Sequence, residues 1–283
     1  MNRRHFLRQS GAALAAGAVL GPGASRALAA ARAADVPAEI GVQLYPFRDL
    51  FPGDVNGVLE MIARFGYAKV EPHTYAERSP AAFRDALDAH GLEAPSAHFG
   101  IDRCRSDLDG VLEDARAAGH RYVVVPWIGP DERTGRDDYL ALADELNGMG
   151  ERARDAGLTM GYHNHEFEFD TFGSARPAYY DLVERLDPEL VALELDLFWA
   201  VFAGFDPVDL FARYPGRFPM WHVKDGGGPD MTQTAVGRGA LDWPAIFAAA
   251  GTAGLDHAIV EIDSPESPLP FAEASIDYLA SIR

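Results

Sequence analysis

The 283-residue chain has little cysteine, little basic charge and no apolar segment long enough to cross a membrane. Its single cysteine, Cys104, cannot form an internal disulfide, so nothing in the fold requires an oxidising compartment. Lysine and arginine number 25 against 43 aspartates and glutamates, and the formal charge of -18 disfavours nucleic acid and anionic membranes as partners. No glycine-rich phosphate loop follows the first predicted strand, which argues against a nucleotide-binding fold.

The N-terminal residues predict an export signal rather than part of the fold. The pair Arg3-Arg4 begins a twin-arginine pattern, an Ala/Gly-rich run follows over residues 11–20, and small residues near Ala29 and Ala33 suit cleavage. The apolar run is shorter than the roughly 20 residues of a spanning helix. We therefore expect a cleaved twin-arginine signal peptide over residues 1–33, a periplasmic location and no stable membrane insertion.

Eight apolar, strand-like runs alternate with helical patterns at a spacing of about 30 residues, the size of one strand-plus-helix unit. Ser79 before Pro80 and Asp206 before Pro207 predict helix starts. The alternation predicts one domain over residues 34–283, a (β/α)8 TIM barrel, with an open doubly wound sheet as the alternative. The predicted strands are Ile40–Tyr45, Tyr67–Glu71, Ala94–His98, Tyr122–Trp127, Thr159–His163, Val191–Asp196, Met220–Lys224 and Ala258–Glu261.

Polar side chains end nearly all of these predicted strands, and in a barrel the strand ends meet at one mouth. Buried polar groups cost free energy unless they are paired, so packing alone explains this pattern poorly. Asp196, His222 and Glu261 end three consecutive strands. Two carboxylates and an imidazole suit one divalent ion, for which Mn, Co, Mg, Fe and Zn are the candidates.

The segment 161–169, GYHNHEFEF, places two histidines two residues apart and follows them with Glu166 and Glu168. Side chains alternate along a strand, so His163 and His165 are expected to project on the same side of the sheet. The polar cluster at the end of an apolar run makes this segment the expected centre of the site.

These stretches resemble the xylose-isomerase-like barrel superfamily, often labelled sugar phosphate isomerase/epimerase, which includes inosose dehydratases and enzymes that process 3-keto-sugars. The resemblance implies that Asp196, His222 and Glu261 are three ligands of one divalent ion. Much of the superfamily has glutamate where His163 stands, so the fourth ligand is His163 or Glu166. We favour His163, because a strand end is more rigid than the loop after it. The matching segments are residues 41–49, 161–169, 193–199, 221–225, 236–243 and 259–263.

A divalent ion that chelates a sugar carbonyl and a neighbouring hydroxyl acidifies the adjacent C–H bond, and a base must then take the proton. The residues predicted to act in this proton transfer are Glu261, His165, Glu166 and Lys224. Return of the proton gives isomerisation or epimerisation, whereas loss of a β-oxygen gives dehydration. The sequence leaves these outcomes open, although the His-x-His arrangement resembles the dehydratase branch more.

Export favours an unphosphorylated sugar or keto-sugar as substrate, with an oxidoreductase as the functional partner that supplies it. Two alternatives remain open: a periplasmic sugar-binding protein without turnover, and an endonuclease of the related barrel family, which the acidic charge disfavours. The predicted substrate-binding residues are Tyr45, Glu71, His98, Trp127, Trp199 and Arg238.

Overall fold

The Val-, Ile- and Leu-rich runs form the strands of a parallel barrel in the computed structural model, which describes residues 35–283. The predicted signal peptide, residues 1–33, lies outside the described residues. The barrel strands are β1 (Ile40–Gln43), β2 (Lys69–Glu71), β3 (Ser96–His98), β4 (Tyr122–Val125), β5 (Thr159–His163), β6 (Val191–Asp196), β7 (Met220–Val223) and β10 (His257–Val260).

Neighbouring strands follow chain order around the barrel, and the first strand pairs with the last. Ile40 of β1 lies beside Ala258 of β10 in a parallel ladder. Between β2 and β3 the backbone bonds from Val70 N to Glu93 O (2.8 Å) and from His98 N to Pro72 O (2.9 Å) bring the sheet nearly to closure. The TIM-barrel prediction is confirmed, and the alternative of an open doubly wound sheet is wrong.

Helices lie outside the barrel, and several begin at the predicted caps. The Ser79 hydroxyl accepts a hydrogen bond from Ala82 N (3.2 Å), and the Asp206 carboxylate accepts one from Val208 N (2.8 Å). The helices are α1 (Val55–Phe65), α2 (Pro80–Ala89), α3 (Ile101–Ser106), α4 (Leu108–Ala118), α5 (Arg136–Asp155), α6 (Ala178–Arg185), α7 (Leu197–Phe202), α8 (Pro207–Arg213), α9 (Trp243–Ala248), α10 (Ala250–Ala253) and α11 (Pro268–Ser281). Within residues 35–283, none of these helices combines the length and apolar character needed to cross a bilayer.

Two elements near the barrel mouth were not predicted. Helix α7 starts directly after β6, because Asp196 ends the strand and also accepts a hydrogen bond from Trp199 N (3.0 Å) as the helix cap. The strand and helix therefore share one apolar run in the sequence. The second element is an antiparallel hairpin of β8 (Asp225–Gly227) and β9 (Thr232–Thr234), which follows β7 and stands beside the mouth.

Candidate active site

The strand register places polar side chains of β5, β6 and β7 at matching heights at the carboxyl end of the barrel. His163 pairs with Glu194, and Asp196 pairs with His222. All four side chains are buried. Because Glu194 and Asp196 lie two residues apart on one strand, both face the barrel interior.

His222 stands between two groups of charged residues, which its two ring nitrogens face separately. Nδ1 lies 2.8 Å from Glu261 Oε2, whereas Nε2 lies 2.9 Å from Glu71 Oε1 and 3.2 Å from Glu194 Oε2. We name the group on the Nδ1 side the mouth cluster; it consists of Asp196, Lys224, Glu261 and Asp263. We name the group on the Nε2 side the deep cluster; it consists of Gln43, Glu71, His98 and Glu194.

In the mouth cluster, a fully buried lysine joins three carboxylates. Lys224 Nζ lies 2.8 Å from Asp196 Oδ2, 2.7 Å from Glu261 Oε2 and 2.7 Å from Asp263 Oδ1. Burial alone would lower the pKa of Lys224, but these carboxylates raise it well above its usual value. Burial alone would raise the pKa of Glu261, but the charges of Lys224 and His222 hold it well below its usual range. Lys224 is therefore an ammonium and Glu261 a carboxylate at neutral pH.

In the deep cluster, imidazoles bridge two buried carboxylates. His98 Nε2 lies 2.9 Å from Glu71 Oε1 and 2.8 Å from Glu194 Oε2, and Gln43 Nε2 donates to Glu71 Oε1 at 2.7 Å. Burial and the charge of Glu71 raise the pKa of Glu194 to about 7. Burial opposes the charged form of His98, but Glu71 and Glu194 raise its pKa to about 9. Each buried charge here thus has a partner, as such groups require.

The donor atoms of the mouth suit a divalent ion. Asp196, His222 and Glu261 each offer one ligand atom, and these atoms lie within 4.8 Å of one another. Two carboxylate oxygens and an imidazole nitrogen match the preferences of the first-row divalent metals. His222 Nε2 is held by carboxylates on the opposite side of the ring, the usual arrangement behind a metal-binding histidine. A second group, His98, His163, Glu194 and His222, also has its ligand atoms within 4.8 Å.

A cavity of about 390 Å³ opens above these clusters and exposes several of their members. His165 lies on its wall, and its buried Nδ1 has no hydrogen-bond partner among the described residues. Burial and the nearby charge of Lys224 lower the pKa of His165 to about 4, so its imidazole is neutral at pH 7. The lining residues are Tyr45, His73, His98, Gly100, Pro126, Trp127, His163, His165, Glu261, Asp263 and Ser264.

The structure brings most of the sequence-predicted residues to this place. Those that belong to the clusters, lie between them or line the cavity are Tyr45, Glu71, His98, Trp127, His163, His165, Asp196, His222, Lys224 and Glu261. Glu71 lies beneath the cavity floor with no exposed surface, so the prediction that it contacts substrate has no support. Trp199 and Arg238 line a neighbouring groove instead. Glu166 is half-buried and belongs to neither cluster nor cavity wall, so nothing in the structure supports it as ligand or base.

Glu194 and Glu168 are two of the site residues that received no role from the sequence. Glu194 was hidden inside an apolar strand, although its position two residues before Asp196 places it on the same face. Glu168 fixes the segment that carries His165: its carboxylate accepts from His165 N at 2.8 Å and from the Tyr162 hydroxyl at 2.6 Å. Burial raises the pKa of Glu168 to about 8.

The family model described as xylose isomerase-like TIM barrel matches residues 59–282, most of the described chain. The chain belongs to this family. The resemblance inferred from the sequence motifs is thereby confirmed, while the role of each site residue stays a prediction.

Individual relatives agree with the family. An inosose dehydratase from Geobacillus kaustophilus is 28% identical over 192 residues, which span 59% of this chain and 61% of that protein. A sugar phosphate isomerase/epimerase from Parabacteroides distasonis superposes with a TM-score of 0.71 at 23% identity, over 88% of this chain and 94% of the other. A zinc-bound IolI protein superposes with a TM-score of 0.68 at 17% identity, over 86% and 96%. These two structural likenesses show the fold.

Proposed function

We propose that this protein is a divalent-metal-dependent enzyme that removes a proton beside the carbonyl of an unphosphorylated sugar or keto-sugar. One observation carries the proposal: Glu261 belongs to the Asp196–His222–Glu261 donor set and also lines the cavity, whose wall includes His165 and Trp127. An ion held by these three residues would polarise a carbonyl group and acidify the neighbouring C–H bond. The inosose dehydratase relatives support a dehydratase or lyase within this reaction class.

The candidate site offers one proton acceptor on the cavity wall, His165, and one proton donor buried behind that wall, Lys224. His165 is neutral and lines the cavity, so its imidazole can accept a proton from a bound substrate. Lys224 is an ammonium and can protonate or stabilise a departing or negatively charged oxygen. One base and one acid suit elimination of a β-oxygen better than epimerisation, which needs a base on each face of the sugar. We therefore favour the dehydratase or lyase outcome over the isomerase and epimerase outcomes.

The charge of the cavity supports an unphosphorylated substrate. Among the described residues that line it, two are the carboxylates Glu261 and Asp263, and none is lysine or arginine. A phosphate group would meet negative charge without a compensating cation on the wall. Tyr45 and Trp127 are 40% and 45% exposed at the rim and offer apolar ring surface for the C–H face of a sugar.

The reaction class can be tested with the purified protein, added Mn²⁺ and a panel of 3-keto-sugars in D₂O. We expect a dehydrated product, or deuterium at the carbon beside the carbonyl, to form only with metal present. Tight sugar binding without deuterium uptake and without product would contradict the enzyme proposal and favour a sugar-binding protein. The matched control is His165→Gln, which removes the proposed base and leaves the donor set complete.

We further propose that the protein is exported by the twin-arginine route and that a separate oxidoreductase supplies its substrate. Both depend on the Arg3-Arg4 pattern, which precedes the described residues. Fractionation of cells that express the full chain, compared with an Arg3→Lys/Arg4→Lys variant, tests the route. We expect the wild-type protein in the periplasm and the variant in the cytoplasm.

A further inference from the structure

A second depression lies beside the cavity and has a volume of about 820 Å³. Its walls come from helix α7, the β8–β9 hairpin and the loop that leads to α11. Its size, like that of the cavity, falls within the roughly 300–1,000 Å³ that small-molecule sites occupy. The feature matters because it adjoins the place where the proposed chemistry occurs. We name it the outer groove; residues on its surface include Trp199, Phe202, Gln233, Arg238, Asp263 and Ser264.

The outer groove and the cavity adjoin each other and share part of their lining. Asp263 and Ser264 line the two depressions at once. Trp199 joins them from the other side: its ring centroid lies 5.9 Å from that of His165 in the cavity and 5.3 Å from that of Phe202 in the groove. A ligand that leaves the cavity past Asp263 therefore enters the groove directly.

The shared wall is fixed to the hairpin and to the mouth cluster. Asp263 Oδ1 lies 2.7 Å from Lys224 Nζ, its Oδ2 accepts a hydrogen bond from the Gln233 amide, and its N–H donates to Gln233 Oε1 at 2.9 Å. The loop that carries Arg238 is fastened as well, since the buried Asp225 carboxylate accepts from Gly237 N at 2.8 Å. These contacts hold the walls of the groove in place without a ligand.

The groove has the surface chemistry of a sugar subsite. Phe202 is 46% exposed and, with Trp199, offers aromatic ring surface on which the C–H face of a sugar can stack. The exposed Arg238 guanidinium makes no ion pair with a described residue, although the chain is strongly acidic. With Gln233 and Thr232 it supplies hydrogen-bonding groups for hydroxyls. Apolar rings with a few convergent polar groups are typical of sites that bind small polar molecules.

We infer that the substrate is a glycoside of two sugar rings, with the reacting ring in the cavity and the second ring in the outer groove. The inference rests on the proposed function for the identity of the reacting ring. The second ring lies against Phe202 and Trp199 and receives hydrogen bonds from Arg238. The groove accordingly selects substrate length and takes no part in proton transfer.

Calorimetric titration of the Mn²⁺-loaded full protein with methyl β-glucoside, cellobiose and phenyl β-glucoside tests the inference. We expect cellobiose to bind about 2- to 12-fold tighter than methyl β-glucoside, because ring stacking adds roughly 0.5–1.5 kcal/mol. Phe202→Ser should remove most of this preference, and Arg238→Gln should reduce it. Leu140→Ser and Arg154→Gln, at exposed positions on α5, are the matched controls and should retain it.

Three other results would contradict the inference, and each has a different consequence. Equal affinity for cellobiose and methyl β-glucoside, or an unchanged preference in Phe202→Ser, would overturn the groove as a sugar subsite and leave the proposed function intact. Tighter binding of phenyl β-glucoside than of cellobiose would replace the second sugar by an aromatic aglycone. Failure of all three probes to bind would overturn the groove inference, while the D₂O experiment separately decides the proposed function.

Discussion

The deep cluster and the mouth cluster lie on opposite sides of the His222 ring and can be compared, because both contain buried carboxylates in different surroundings. The deep cluster pairs carboxylates with imidazoles and an amide, and its carboxylates lie beneath the cavity floor. The mouth cluster instead pairs carboxylates with one lysine beside open space. Glu71 and Glu194 have no exposed surface, but Glu261 and Asp263 line the cavity. The difference shows that carboxylates at one barrel end can serve either to orient a site residue or to meet a ligand.

The largest effect is expected from removing the mouth carboxylate. Glu261→Gln takes a ligand atom from the donor set and a charge from beside Lys224 and His222. We expect turnover of the active keto-sugar to fall by about 10²–10⁴-fold, since a bound metal ion contributes several kcal/mol of charge stabilisation and the variant loses one of its ligands. Steady-state kinetics and circular dichroism measure the change, and exposed Glu151→Gln on α5 is the control. Near-normal turnover would remove Glu261 from the chemistry.

Lys224→Met tests whether the mouth cluster depends on its ammonium. The change leaves Asp196 and Glu261 buried without their cation, so the metal-free protein should lose about 3–5 kcal/mol of unfolding free energy. Added Mn²⁺ should then stabilise the variant more than it stabilises the wild type. Urea denaturation with and without metal provides the measurement. Lys69→Met is the control, because Lys69 is buried but pairs with the exposed Glu39 at 3.0 Å. An equal loss of unfolding free energy in Lys69→Met would show that burial of the lysine, not its place in the mouth cluster, determines the destabilisation.

Glu194→Gln tests the orienting role of the deep cluster. Glu194 Oε2 lies 3.2 Å from His222 Nε2 and 2.8 Å from His98 Nε2, so its loss should free the ligand ring to turn. Carboxylates behind a metal ligand typically contribute about 10–100-fold in metal affinity, and we expect a loss in this range. Competition with a chelating dye measures the affinity. Unchanged affinity would show that the barrel backbone alone holds His222 in place.

The smallest effect concerns pH and the segment that carries His165. Burial raises the pKa of Glu168 from 4.5 to about 8. The folded state therefore favours the protonated carboxyl, and the stability that protonation contributes is full below pH 4.5 and is lost as the pH rises toward 8. Glu168→Gln should abolish this dependence, so its unfolding free energy relative to the wild type should rise by about 1.4 kcal/mol per pH unit within that window. Chemical denaturation at several pH values measures it, and parallel pH profiles would contradict the assignment.

Much of the barrel followed from local sequence signals. Apolar runs at regular spacing and caps such as Ser79 predicted the strands and helices, since both depend on neighbouring residues. Helix α7 was missed because Asp196 ends a strand and caps a helix at once. The β8–β9 hairpin was missed because both strands are three residues long, β8 is Gly-rich, and the two strands pair only with each other.

Within the site, the sequence predicted the donor set at the strand ends, because parallel strands of a barrel end at one mouth. It did not predict Glu194, which sits inside an apolar run, and it gave Glu71 a substrate contact that its burial beneath His98 does not support. It also placed Glu166 in the chemistry, although the carboxylate that fixes His165 is Glu168.

The sequence by itself determined the barrel and the identity of the polar residues at its mouth, since strand periodicity and turn chemistry are local properties of the chain. Only the tertiary structure decided which carboxylates lie below His222 and which lie above it. That division depends on distances between residues far apart in sequence, such as Glu71 and His222 at 2.9 Å, and on which of them remain in contact with the cavity.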